Sequence, residues 1–90
     1  MPSLTITIQH SSGLHARPAA QFVKMAASFP CSLTVRNITS NKLAANAKSV
    51  LSVLTQGVNK GHEIELVAEG DRADEALAAI KELVESNFGE

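Results

Sequence analysis

The stretch SSGLHARPAAQFVKMAAS, residues 11–28, runs from a glycine turn into an apolar-periodic segment, and its register organises the rest of the chain. Ala19, Phe22, Val23 and Ala26 recur at helical spacing, so the spacing predicts a helix from Ala16 to about Ser28 with one apolar face. Pro18 fits only in the first turn, where its missing N–H breaks no hydrogen bond. The helix therefore begins beside His15, and Pro30 stops it from running on.

Outward from this helix the period changes. On its N-terminal side Leu4, Ile6 and Ile8 alternate with threonines in LTITI, the pattern of a strand with one buried face. On its C-terminal side SLTVRN, residues 32–37, alternates again through Leu33 and Val35. ITSNKLA reads as a turn leading into a short third strand. NAKSVLSVLTQG then returns to helical spacing, with Asn46 as the expected N-cap and Gly57 as the stop. HEIELVAE places Ile64, Leu66 and Ala68 on one face of a fourth strand. The last segment is a helix whose apolar stripe is Ala73, Ala76, Leu77, Ile80, Leu83 and Val84. Asp71 is its expected cap, and Asp74 and Glu75 favour its positive N-terminal end.

Three amphipathic helices need an apolar sheet face to cover. The predicted fold is therefore α+β, in the order βαββαβα, with a four-stranded, mainly antiparallel sheet covered on one face by three helices. Residues 1–90 are expected to form one domain, since the chain has material for a single modest core. No apolar run approaches the ~20 residues of a membrane span. The first ten residues alternate in polarity instead of forming a basic start and an apolar block, so no signal peptide is expected and the cytoplasm is the expected location. The single cysteine, Cys31, excludes an internal disulfide and reads as a small core residue.

The net charge of −1 conceals a segregation: no Asp or Glu occurs before Glu63, while Arg17, Lys24, Arg36, Lys42, Lys48 and Lys60 all do. Such a stretch presents a positive field suited to phosphate or to an acidic partner surface. Nucleic acid is not the expected partner, because aromatic content is 3% and the basic residues do not cluster.

His15 stands where the first helix starts, and the N–H groups of Ala16 and Arg17 have no acceptor four residues earlier. That makes the helix start an anion site, strengthened by a guanidinium able to bind a phosphoryl group bidentately. The same positive charge disfavours the imidazolium and so favours the neutral, nucleophilic ring. Gly13 allows a sharp turn that exposes the ring. These parts suit a histidine that accepts a phosphoryl group; a histidine that caps a helix or packs in a core is the alternative. A zinc site has less support, since His10, His15 and His62 lack paired spacing. A Ser-His hydrolase has less again, with no acid in the first sixty-two residues.

GLHARPA, residues 13–19, resembles the active-site signature of the histidine-containing phosphocarrier (HPr) family of the phosphoenolpyruvate-dependent sugar phosphotransferase system, and the resemblance extends through NAKSVLSVL and TQGVNKG to the chain's end. It implies the open-faced sandwich of that family. It also implies that His15 is phosphorylated on Nδ1 by Enzyme I and passes the group to IIA components of sugar transporters. Arg17 would then hold the phosphate together with Ser12 and Ala16, with no metal or cofactor, in a protein expected to be a monomer. The resemblance makes Val50, Leu51 and Leu54 a docking patch, and Ala20, Lys24 and Lys48 would border it; Val53 is expected in the core. A basic rim speeds encounter with acidic partners. The carrier is expected to act as a phosphotransferase-system component more than as a stand-alone enzyme.

Ser49 falls where the Gram-positive branch of the family has a regulatory serine, which implies an HPr kinase/phosphorylase and a transcription regulator as further partners. Ser52 stands where that branch commonly has glycine, and the turn around Thr39 to Ala45 is longer. Ser49 as a helix cap alone is the alternative. Two further readings are a regulatory module of the same fold, in nitrogen or carbon control, that binds partners without carrying phosphate, and an HPr domain of a larger fused phosphotransferase.

Overall fold

A computed structural model of the chain describes residues 2–89. The elements follow in the order β1 (Ser3–Thr7), α1 (Ala16–Ala27), β2 (Ser32–Asn37), β3 (Ala45–Asn46), α2 (Val50–Leu54), β4 (Glu63–Glu69) and α3 (Ala73–Glu85), with a single 3₁₀ turn at Asn87–Gly89. The strands form one sheet in the order β1-β4-β2-β3, and every pairing is antiparallel. Opposite Ile64 on β4 stand Ile6 of β1 and Asn37 of β2, and Leu66 faces Leu4 and Val35 in the same way. This is the predicted α+β arrangement, in the predicted element order.

Alternation decides which sheet face is covered. Leu33 and Val35 on β2, with Ile64, Leu66 and Ala68 on β4, are buried, while Ser32, Glu63 and Glu69 on the other parity are exposed. On that open face Arg36 pairs with Glu65 across the strands at 3.6 Å. The helices supply the other half of the core. Pro18, Ala19, Phe22, Val23 and Ala26 of α1 are buried, as are Ala73, Ala76, Leu77, Ile80 and Val84 of α3. Leu83 packs only partly against this core. Phe22 is fully buried, and removing such a side chain from water is worth about 1.5–3 kcal/mol. Cys31 is buried as expected.

Two expected caps are corrected. Asn46 is not the N-cap of α2: it is spent in β3 opposite Thr34, and its Oδ1 accepts from Lys48 N at 2.9 Å in the turn that follows. Ser49 caps α2, its hydroxyl accepting from Ser52 N at 3.3 Å. Pairing in the sheet claimed the asparagine and left the next small polar residue to start the helix. Asp71 likewise does not cap α3. The N-cap position belongs to Arg72, which is left-handed at φ 63° and makes no side-chain capping bond. Its guanidinium instead reaches Glu75 at 3.0 Å and lies 5.1 Å from the centre of the Phe29 ring. Gly57, with φ 60° and its N–H on Leu54 O, ends α2 as the sequence suggests.

Candidate functional site

The loop between β1 and α1 is held by His10, whose part in it was not legible in the sequence. Its side chain is 5% exposed, its Nδ1 accepts from Ser12 N at 3.0 Å, and its ring meets Phe88 edge to face. Gly13 N donates to His10 O at 2.9 Å, and Gly13 itself has φ 65°. Leu14 is then fully buried, with its N–H on Val58 O at 2.9 Å. A Cβ on Gly13 would lie 2.3 Å from Val58 O and 2.7 Å from Asn59 Cα. Gly13 therefore lets the 10–14 loop lie directly on the loop between α2 and β4.

That contact sets the surroundings of His15. The residue is extended (φ −127°, ψ 161°) in the N-cap position of α1, half-buried, and its side chain makes no capping bond to the helix. The ring turns away from the helix, and its Nε2 lies 3.2 Å from Asn59 Oδ1. A carbonyl oxygen only accepts, so Nε2 carries a proton, and whenever the ring is neutral the lone pair is on Nδ1. Asn59 was not among the sequence candidates. It lies 44 positions from His15, and no local pattern marks a contact of that range.

The helix start is less regular than the sequence suggests. Ala16 has φ 50°, a left-handed conformation that costs a residue with a Cβ about 1–2 kcal/mol. The packing of Leu14, Pro18 and Ala19 on either side of it outweighs that cost. Ala16, Arg17 and Ser12 are all exposed, and Arg17 is bound to none of the described residues.

The residues expected to border a docking patch divide. Val50, Leu51 and Leu54 are 42%, 74% and 37% exposed, whereas Val53 is buried. A helix this apolar on its outer side presents aliphatic surface that its own core does not use. Ala20 and Lys24 are exposed on α1, which packs against α2. Lys48 is half-buried, and its Nζ donates to Phe29 O at 2.7 Å, so its ammonium ties α2's approach to the end of α1. Ser49 sits half-buried between Lys48 and the exposed Val50. Leu43, 89% exposed in the long turn before β3, was not foreseen. Among the described residues no three His, Cys, Asp or Glu side chains are grouped to hold a metal ion, and no helix is long and apolar enough to cross a membrane.

Fold and site together define a small antiparallel-sheet protein that presents an imidazole nitrogen at a helix start, with a guanidinium unpaired among the described residues and an aliphatic patch. Comparison with known proteins gives this class its place. The family model for the PTS HPr component phosphorylation site matches residues 2–86. The phosphocarrier protein HPr of Pseudomonas aeruginosa is 43% identical, over 100% of this chain and 98% of its own. The crystal structure of HPr-C-His from Thermoanaerobacter tengcongensis superposes with a TM-score of 0.94 at 44% identity, covering 100% of this chain and 98% of that one. The multiphosphoryl transfer protein of Haemophilus influenzae is 35% identical over 96% of this chain, which spans only 17% of that protein. The chain belongs to the HPr family of phosphocarriers of the phosphotransferase system.

Proposed function

We propose that this protein accepts a phosphoryl group on His15 Nδ1 from phosphoenolpyruvate-charged Enzyme I and passes it to IIA components of sugar transporters, in the cytoplasm. The observation that carries the reading is the His15 Nε2 contact with Asn59 Oδ1, which makes Nδ1 the nucleophile of the neutral ring. In the first transfer the Nδ1 lone pair forms a bond to phosphorus while the donor's phosphorus–nitrogen bond breaks and returns its electron pair to the donor nitrogen. No proton has to leave the ring. The phosphorylated imidazole keeps Nε2–H, and the positive charge it gains is stabilised by Asn59 Oδ1. The second transfer reverses these events on the acceptor's nitrogen, so alignment and charge stabilisation supply the catalysis.

Arg17, free of other partners among the described residues, is the side chain suited to the phosphoryl oxygens, with Ser12 and the backbone at Ala16 beside it. The exposed setting moderates this stabilisation, as a carrier requires: a group held tightly would not be released. Val50, Leu51 and Leu54 form the docking surface, with Ala20 and Lys24 at its border. Phosphorylation of Ser49 by an HPr kinase/phosphorylase would add roughly −1.5 to −2 charges beside that patch. The exposed neighbours Val50 and Leu51 support the effect on docking, and a phosphate on Ser49, the residue that caps α2, would stand at the favourable end of that helix.

The test is phosphorylation by phosphoenolpyruvate and a general Enzyme I, with the modified residue mapped under conditions that preserve phosphohistidine. A heat- and acid-labile phosphate on His15, lost in His15→Ala with the fold intact, is the expected result. Stoichiometric phosphorylation of His15→Ala would end the mechanism. No transfer from several donors would favour a regulatory module of the same fold.

A further inference from the structure

We infer that His62 is a positioning residue for His15, acting through Asn59, so that a relay from the buried end of β2 decides which nitrogen of the His15 ring is free. The inference needs the carrier reading only for its effect on transfer; its geometry stands apart from it. Asn59 is exposed, and nothing in its own side chain obliges it to face His15. Its backbone is what is fixed. His62 N donates to Asn59 O at 3.0 Å, closing a turn whose third residue, Gly61, has φ 89°. Gly61 N reaches Ile8 O at 2.7 Å and Ile8 N reaches His62 O at 2.9 Å, which ties the turn to the end of β1.

The His62 ring closes the turn from inside. Its Nδ1 lies 3.1 Å from Asn59 N and 3.2 Å from Asn37 Nδ2. A backbone N–H can only donate, so His62 Nδ1 is an acceptor and its proton sits on Nε2. The Asn37 amide is oriented independently. Its Oδ1 accepts from Ser40 N at 3.1 Å, and its Nδ2 donates to Gln56 O at 3.0 Å. Asn37 is fully buried, and Asn37 N donates to Gln56 Oε1 at 2.7 Å, so this end of the relay cannot swing.

The consequence runs outward: Asn37 holds His62, His62 holds the backbone N–H of Asn59, and that sets the Cα–Cβ direction from which the Asn59 side chain reaches Nε2 of His15. The order matters chemically. Loss of the Asn59 acceptor frees the His15 proton to move to Nδ1, and a ring protonated there has no lone pair to offer phosphorus at that atom. His62 never touches the transferred group.

Nitrogen-15 labelling of the imidazoles, read by long-range proton correlation at a pH where the rings are neutral, reports both tautomers directly. In the unaltered protein His15 and His62 should both be Nε2–H; either ring found mainly as Nδ1–H overturns the relay without any variant. Asn59→Ala and His62→Ala should each shift the His15 tautomer ratio toward Nδ1–H by about three- to ten-fold, the worth of one net hydrogen bond, and slow transfer by a smaller factor that follows the Nε2–H fraction lost. His62→Asn, whose Oδ1 can stand where Nδ1 stood, should restore both. A folded His62→Ala protein with an unmoved His15 tautomer removes His62 from the relay and leaves the carrier reading intact. A tautomer that moves in a protein that never accepts phosphate sinks the carrier reading and leaves the relay standing.

Discussion

Replacing Gly13 with alanine tests whether close contact of two loops builds the site. Gly13 has φ 65°, where an alanine costs about 1–2 kcal/mol, and its added Cβ would sit 2.3 Å from Val58 O. Moving it to 3.0 Å requires the loops to part by roughly 0.7 Å, which strains the Leu14 N to Val58 O bond of 2.9 Å. Losing that bond costs about 1 kcal/mol, and overpacking against backbone adds about 1–3 kcal/mol. Gly13→Ala should therefore lose about 3–6 kcal/mol, or roughly 15–30 °C of thermal midpoint in a domain of this size. Gly57 is the control: its φ is 60°, but no atom lies within 4 Å of an added Cβ. Gly57→Ala should lose only the backbone share, about 1–2 kcal/mol. The chain has no Trp or Tyr, so urea unfolding is followed by far-ultraviolet circular dichroism. If the two variants differ by less than about 1 kcal/mol, the loop contact is not tight, and the account of how Asn59 reaches His15 fails with it.

Neighbouring positions on α2 should separate docking from stability: Leu51→Ser, at a 74% exposed site, should weaken Enzyme I binding by about ten-fold by calorimetry with little change in melting, while Val53→Ala, fully buried, should cost about 1–3 kcal/mol. The opposite pattern would move the docking face off α2. Ser49→Ala should lose about 1 kcal/mol in urea unfolding through the cap to Ser52 N, and Ser49→Asp should retain most of it; equal stability of all three would show that the cap contributes nothing.

The elements were legible because their signals are local. Period two in residues 32–37 and helical spacing from Ala16 place β2 and α1 where the structure has them, and Pro18 fixes the start of the helix from its own ring chemistry. Caps were less legible because several small polar residues compete for one position. Asn46 and Ser49 are both good N-caps by type, and the strand pairing to Thr34 decided between them. Asp71 and Arg72 differ even more by type, yet the approach of Phe29 and Glu75 gives the arginine a place that a cap preference does not foresee.

For the site the division is sharper. The sequence by itself determined that a histidine stands between a glycine turn and a proline-started helix, that an arginine follows it, and that an aliphatic segment lies further along. Each of these depends on residues adjacent in the chain. Only the tertiary structure decided which nitrogen of His15 is free. That depends on Asn59, 44 positions away, and on His62 and Asn37 behind it. The physical reason is that a hydrogen bond is directional over about 3 Å, whereas sequence patterns carry burial and propensity but no direction. The left-handed Ala16 follows the same rule: the packing on both sides of it imposes a conformation that no local preference of alanine would choose.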